Sequence, residues 1–169
     1  MMSKKVEKAL NAQINAEFWS AYLYLAMAAD SQSKSLPGIA NWFYVQYKEE
    51  LDHGMKIFNF LVKRGVKVEL MPIDKVPTKW KSVLDAFKDA LKHEKEVTAM
   101  IDNLFTLAGT EKDYATQSML QWFIDEQVEE EETPQSIIDT LIRIGDNGSA
   151  LYMLDKELGA RTYTPLDID

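Results

Sequence analysis

Residues 47–58, YKEELDHGMKIF, contain a glutamate and a histidine three residues apart, Glu50 and His53, within an otherwise apolar helical stripe. Phe43 and Ile57 continue that stripe at helical spacing on either side of the pair. Residues three apart lie on one face of a helix, so both polar side chains should point towards the packed side. Charged groups are rarely buried unless they are paired. The stretch therefore predicts a long helix that carries polar groups into the centre of a helical protein.

Three further long segments and one short segment show the same helical period. The predicted helices cover about residues 5–33, 39–64, 82–108, 111–145 and 149–158. Pro37 and Gly38 are expected to end the first helix, and Gly65 stands where the second needs a C-terminal cap. The fourth helix is expected to begin after Gly109.

One connection is much longer than the others. It runs from Val66 to about Trp80, has roughly 15 residues and contains Pro72 and Pro77. Fully extended, about 15 residues reach about 50 Å, whereas a helix of about 26 residues is roughly 39 Å long. The segment can therefore cross the whole bundle and let the second and third helices run parallel. The sequence predicts an all-α four-helix bundle with a short fifth helix, in a single domain spanning residues 1–169.

Each long helix carries a glutamate near its midpoint: Glu17, Glu50, Glu94 and Glu130. The first hairpin separates Glu17 from Glu50 by 33 residues and from His53 by 36. The second separates Glu94 from Gln127 by 33 and from Glu130 by 36. Taken singly, each glutamate is better explained as the edge of a stripe that reaches solvent. The shared depth and the repeated spacing favour one polar layer with pseudo-twofold symmetry.

Composition restricts what this layer can do. The chain has a formal net charge of −8, which disfavours nucleic acid and acidic membranes as partners and favours cations. It has no Cys, which excludes disulfides, thiolate nucleophiles and iron–sulfur clusters. No run of about 18 apolar residues and no apolar secretory segment occurs, so a cytoplasmic location is expected.

Four carboxylates in one dehydrated layer would repel each other unless cations lie among them. Oxygen ligands with one imidazole suit Fe(II), Mn or Zn, and a bridging glutamate suits a pair of ions. Carboxylate bundles that hold two metal ions use one Glu from each of two helices and Glu-x-x-His from the other two. Here the second such pair reads Gln127-x-x-Glu130.

At this point four segments resemble the motifs of non-haem bacterial ferritins over essentially the whole chain. They are NAEFWSAYLYLAMA (15–28), YKEELDHGMKIF (47–58), LKHEKEVT (91–98) and LQWFIDEQVEEEE (120–132). The resemblance implies a ferritin-like fold with the long crossover between helices two and three. It also implies iron storage, with Fe(II) oxidised by O₂ or H₂O₂ at a di-iron ferroxidase centre and kept as a mineral inside a shell of 24 subunits.

The resemblance also assigns residues to that centre. Glu17 and His53 would bind one iron, Glu94 and Glu130 the other, and Glu50 would bridge them, with Gln127 beside the pair. A third iron site would use Glu49, Glu126 and Glu129 and share Glu130, although a solvated acidic helix face explains these three glutamates equally well.

Three other side chains are singled out near these positions. Tyr24 would lie one to two turns beyond Glu17, where it either bonds a ligand and donates an electron or serves as a core tyrosine. Trp122 allows the same two interpretations. His93 points about 100° away from Glu94 around the helix and is expected on the surface.

Two residues differ from what related proteins have at the same positions. Leu51 distinguishes the chain from bacterioferritins, and Pro134 departs from the non-haem ferritin pattern. Bacterioferritins bind haem through a methionine directly after the bridging glutamate, and Leu51 occupies that place, so no haem is expected. Pro134 lies one turn past Glu130 inside the fourth helix and should bend it, which would weaken the second iron position if Glu130 were turned away. Two alternatives stay open: a di-metal oxidoreductase of the same fold, and a structural bundle with no catalytic role.

Overall fold

The computed structural model describes residues 2–167, which form five α-helices. They are α1 (Lys4–Ser33), α2 (Pro37–Lys63), α3 (Val83–Thr110), α4 (Tyr114–Ile144) and α5 (Gly148–Leu158). No strand occurs in this part of the chain. The predicted domain also includes Met1, Ile168 and Asp169, which lie outside the described residues, and the single-domain organisation stays a prediction.

The turn between α1 and α2 differs from the expectation. Pro37 and Gly38 do not end α1; they are the first two residues of α2. Proline suits the first helical position because its missing N–H needs no partner there and its φ is already helical. The reversal itself is made by Ser35, which has a positive φ of 60°.

The turn between α3 and α4 also lies later than predicted. Gly109 is inside α3, and α4 begins only at Tyr114, after Asp113, whose side chain accepts a hydrogen bond from Thr116 N. A Cβ on Gly109 would lie 2.5 Å from the side-chain nitrogen of Gln117. The glycine therefore permits close packing of α3 against α4 and does not end the helix. Gly65, by contrast, caps α2 as predicted, with a positive φ of 70°.

Two apolar clusters fill the bundle. The Phe43 cluster joins the end of α1, the starts of α2 and α3 and the end of α4, with Tyr24 and Phe87 fully buried in it. The Ile57 cluster joins the start of α1, the ends of α2 and α3 and the start of α4, with Leu10 fully buried. Because α2 and α3 both run from the Phe43 cluster to the Ile57 cluster, they are parallel, as predicted. Helices α1 and α4 run the other way.

The crossover connects the two clusters. Val66 and Val68 pack against the Ile57 cluster near its beginning, whereas Val76 and Trp80 are buried in the Phe43 cluster near its end. The segment between α2 and α3 therefore traverses the length of the bundle. This confirms the single-crossover topology inferred from its length.

Helix α5 closes the end of the bundle at which α2 begins. Asp155 of α5 accepts a 2.8 Å hydrogen bond from the backbone N–H of Ile39, which supplies the partner that the uncapped start of α2 lacks. A Cβ on Gly38 would lie 1.6 Å from the backbone oxygen of Asp155. Only glycine allows the two helices to approach this closely.

Pro134 lies within α4 and is buried, and the helix continues through it to Ile144. Glu130 still points into the bundle and is 8% exposed. The predicted loss of one backbone hydrogen bond has therefore not turned Glu130 away from the centre. Among the described residues, no helix is both long enough and apolar enough to span a membrane.

Candidate metal centre

A layer of buried polar side chains separates the two apolar clusters. Its members come from all four long helices and are Glu17, Glu50, His53, Glu94, Gln127 and Glu130. Glu17 and Glu94 are each only 1% exposed. The common depth inferred from the helix midpoints is therefore observed.

The carboxylate and imidazole atoms of this layer form groups tight enough to hold metal ions. Oxygen or nitrogen atoms of Glu17, Glu50 and His53 all lie within 4.8 Å of one another, and so do those of Glu50, Glu94 and Glu130. Glu50 belongs to both groups. A glutamate shared by two adjacent groups can bridge two cations, which matches the arrangement expected from the sequence.

Neutral side chains orient these carboxylates. Gln13 Nε2 donates a 2.8 Å hydrogen bond to Glu17 Oε1, and Gln127 Nε2 donates 3.3 and 3.2 Å bonds to Glu94 Oε2 and to the Glu94 backbone oxygen. The Tyr24 hydroxyl donates to Glu94 Oε1, so Tyr24 does contact a residue of the candidate centre.

Gln46 also touches the layer: its Nε2 donates to Glu130 Oε2. The sequence interpretation missed both Gln13 and Gln46. Each lies four residues before a central glutamate, Glu17 or Glu50, and therefore on the same helix face. A polar residue at that spacing was the signal that could have identified them.

Burial and mutual repulsion keep protons in the centre when no cation is present. Burial first, and then the charge of Glu130, raise the pKa of Glu50 well above its usual range. Burial and the charge of Glu94 raise the pKa of Glu130 to about 8. The pKa of Glu94 is also raised well above its usual range, by burial and then by Glu50, and burial raises that of Glu17 although His53 opposes the rise.

The residues fit a bound cation, as one oxygen atom shows. Glu17 Oε2 is buried and has no hydrogen-bond donor among residues 2–167. A proton shared with the neighbouring Glu50, or a cation, would compensate its lost hydration. Oxygen atoms with one imidazole are the ligands that Fe(II), Mn(II) and Zn(II) accept.

The three glutamates of the expected third site lie near one another, since the charge of Glu126 acts on Glu49 and that of Glu129 acts on Glu126, but they do not form one metal-sized group among the described residues. Glu126 groups with His53 and Glu130 within 4.8 Å, but Glu49 and Glu129 join none of the metal-sized groups found among the described residues. Glu129 is exposed. Glu49 is half-buried and binds the guanidinium of Arg161, with Nη2 and Oε2 2.6 Å apart.

His93 was expected on the surface, and this is wrong. It is 8% exposed; its Nε2 lies 2.7 Å from Ser20 Oγ, and its ring centroid lies 5.1 Å from that of Trp19. The cause is that α1 packs against α3 and covers the face next to Glu94 as well as the face of Glu94 itself. Burial lowers the pKa of His93 to about 4, so this histidine is neutral and serves to join α1 to α3.

Trp122 lies beside the centre. Its ring is half-buried and meets the His53 ring edge-on, with 5.4 Å between centroids. Lys56 Nζ lies 4.8 Å from the centroid on the same indole. The indole therefore packs against a candidate ligand. This contact is compatible both with a role for Trp122 at the centre and with a purely structural one.

Fold and site together define a class of protein. It is the four-helix bundle with a single crossover and a carboxylate-rich centre to which all four long helices contribute. A family model described as a ferritin-like domain matches residues 7–144. The bacterial non-heme ferritin of Staphylococcus aureus (strain USA300) is 47% identical over 163 residues, which are 96% of this chain and 98% of that protein. That of Staphylococcus haemolyticus (strain JCSC1435) has the same identity and coverage.

Solved structures agree with these relatives. A closed form of the Archaeoglobus fulgidus ferritin, engineered by site-directed mutagenesis, superimposes with a TM-score of 0.96 at 47% identity, over 97% of this chain and all of that one. The open pore ferritin of the same hyperthermophilic archaeon has a TM-score of 0.95 at 47% identity, over 96% of this chain and 100% of that one. The chain belongs to the ferritin family.

Proposed function

We propose that this ferritin stores iron and oxidises it at the centre described above. Two Fe(II) ions are the substrate: one is held by Glu17 and His53, the other by Glu94 and Glu130, with Glu50 between them. The single observation that carries this proposal is that Glu50 belongs to both metal-sized groups. Iron storage also fits the non-heme ferritins to which the chain is 47% identical.

The paired arrangement suits a two-electron oxidation. Two Fe(II) ions together give two electrons to O₂, which with two protons becomes H₂O₂, or to H₂O₂, which with two protons becomes two water molecules. The carboxylates stabilise the higher charge of Fe(III) and thereby favour its formation. Protons held by Glu50, Glu94 and Glu130 in the empty centre leave when the cations enter, because ligands must be deprotonated.

Storage requires a container, and we propose a shell of 24 copies of the chain. Several large apolar side chains are exposed, which fits subunit interfaces. They include Leu70 and Met71 of the crossover, at 68% and 45% exposure, and Tyr152 and Met153 of α5, at 63% and 71%. The cytoplasmic location expected from the sequence stays a prediction.

The oxidation is tested by adding two Fe(II) per chain without oxygen and then mixing with O₂ or H₂O₂ while Fe(III) absorbance is recorded. The double variant Glu50→Ala/His53→Ala should lose the fast phase. Glu96→Ala, two residues from Glu94 but exposed, is the matched control and should keep it. A wild-type rate in the double variant would show that the centre is wrongly assigned.

One observation favours a second candidate, a di-metal oxidoreductase with an organic substrate. A groove of about 310 Å³ between α3 and α4 reaches Thr98 and Gln127, both beside Glu94. Its volume lies at the lower limit for small-molecule sites. Particle size together with bound iron per chain separates the candidates, because only storage gives a large shell containing far more iron than its ligands can bind.

A further inference from the structure

The segment that follows α5 is held along α2. We call residues 159–166 the tail. Asn41 Nδ2 of α2 donates a 2.9 Å hydrogen bond to the backbone oxygen of Arg161. Further along, Asp52 Oδ2 accepts from the Tyr163 hydroxyl at 2.6 Å and from Leu166 N at 2.9 Å. Helix α2 therefore holds the tail at two places, at the backbone of Arg161 and again at Tyr163 and Leu166.

The Arg161 side chain uses this fixed position to contact two polar residues at once. Nη2 donates to Glu49 Oε2 at 2.6 Å, and Nη1 donates to Gln46 Oε1 at 2.8 Å. The guanidinium also covers the Trp42 ring, 4.7 Å from its centroid. Stacking and a planar fork of donors are properties of arginine that lysine does not share.

Gln46 links this cation to the metal centre. It is 1% exposed; its oxygen accepts from Arg161, and its nitrogen donates to Glu130 Oε2. With a cation on one side and a carboxylate on the other, the amide has only one orientation that satisfies both partners. Arg161 therefore acts on Glu130 through one buried side chain.

We propose that Arg161 is a positioning residue that withholds Glu49 from metal ligation and so limits the centre to two tightly bound ions. The inference rests on the proposed function, because it concerns metal ions held by the same centre. Arg161 holds one carboxylate oxygen of Glu49, Oε2, and thereby fixes the direction in which that carboxylate points. Glu49 accordingly lies outside the metal-sized groups of the described residues, whereas Glu126 groups with His53 and Glu130.

A third ion among His53, Glu126 and Glu130 would also meet the positive guanidinium across Glu49. The ion can recruit Glu49 only if the carboxylate turns from the position in which Arg161 holds it. Loss of a charge-assisted hydrogen bond typically costs about 1.5 kcal/mol, which is about tenfold in a binding constant. We therefore expect the third ion to bind at least about tenfold more tightly once Arg161 is removed.

The test is calorimetric titration of the assembled, metal-free protein with Zn(II), which cannot be oxidised. The wild-type chain should bind two Zn(II) tightly and a third weakly, and Arg161→Gln should tighten only the third. Adding Glu49→Gln to that variant should restore weak binding. Equal third-ion affinity in wild type and Arg161→Gln would overturn the inference. Failure of the wild type to bind the first two ions would overturn the proposed function, and this inference with it.

Tyr163→Phe provides the matched control, because it loosens the same tail at Asp52 without touching Glu49. This variant should leave the affinity for the third Zn(II) unchanged. If it tightened the third ion as much as Arg161→Gln does, tail anchoring alone would explain the effect and the role of Arg161 would be refuted.

Discussion

Gln13 donates a 2.8 Å hydrogen bond to one carboxylate oxygen of Glu17, while the other oxygen is buried without a donor among the described residues. The pair shows how the centre balances two states. One oxygen is satisfied by Gln13, and a proton or a cation would satisfy the second. The folded chain is thus less stable empty than it would be with neutral side chains in this layer.

The first prediction follows from Glu17. Replacing it by Gln removes a buried ionisable group but keeps its shape and its acceptor for Gln13. The melting temperature of the metal-free protein should rise. Adding Zn(II) should raise it further in both proteins, but the gain in Glu17→Gln should be smaller by about one site's contribution, about 2.7 kcal/mol at 100 times the dissociation constant. Calorimetry at one protein concentration measures both effects. Glu96→Gln should change neither, and a Glu17→Gln protein that melts lower when empty would contradict the account.

A second prediction concerns alkaline pH. Burial and Glu94 raise the pKa of Glu130 to about 8, above the value of about 4.3 expected in an unfolded chain. The folded state then binds more protons than the unfolded state across this window. The contribution of Glu130 to the free energy of unfolding of the metal-free protein should therefore be complete below about pH 4.3. It should decline as pH rises towards 8, by at most about 1.4 kcal/mol per pH unit. Melting curves at pH 6, 7 and 8 should show the decline, and Glu130→Gln should reduce its slope.

The third prediction has the opposite sign of pH dependence. Burial lowers the pKa of His93 to about 4, below its usual 6.5. Its contribution to stability is therefore complete above pH 6.5 and is lost as pH falls from 6.5 towards 4. His93→Gln should weaken this acid dependence in melting experiments. If stability fell equally steeply with acid in the variant, groups other than His93 would be the cause.

The partner of His93 gives a fourth prediction. Ser20→Ala leaves His93 Nε2 without its 2.7 Å partner in a buried site and should cost about 1–3 kcal/mol of stability at pH 7.5. Ser33→Ala, an exposed serine near the end of the same helix, should change stability by less than about 0.5 kcal/mol. Urea unfolding at fixed protein concentration compares the two. Equal effects would mean that the Ser20–His93 contact contributes nothing specific.

The fifth prediction concerns the docking of α5. Gly38→Ala places a Cβ 1.6 Å from the Asp155 backbone oxygen and must push α5 away from α2. Protease cleavage between α4 and α5 should become faster, and the melting temperature should fall. In Gly148→Ala the new Cβ meets nothing within 4 Å, so this variant should behave like wild type. If both variants were cleaved at the wild-type rate, the close approach of the two helices would not stabilise α5.

Much of the fold was predictable because its signals are periodic. The helix midpoints, the repeated spacing of Glu17, Glu50 and Glu94, and the length of the crossover each follow from chain geometry alone, and the structure confirms the bundle they predict. Helix ends were less predictable. Pro37 and Gly109 both favour breaks when considered alone, but Pro37 starts a helix and Gly109 lets two helices pack closely.

The parts of the site that escaped prediction depend on contacts between distant segments. His93 is buried because α1 covers α3, which the period of α3 alone does not reveal. Arg161 contacts Glu49 and Gln46, which lie 112 and 115 residues before it in the sequence. A pattern within one helix cannot show which cation will dock on it. The roles of the candidate ligands as metal-binding residues likewise stay proposals.

The tail also matters to anyone who wishes to use this protein as a container. Arg161 is carried by the segment after α5, so the surroundings of Glu49 and Gln46 depend on that segment being present. Trimming that segment past Arg161 removes the positive charge next to Glu49 and Gln46. Loss of that charge is thus expected to change metal loading, and a display platform that must keep its native iron handling should retain residues 159–166.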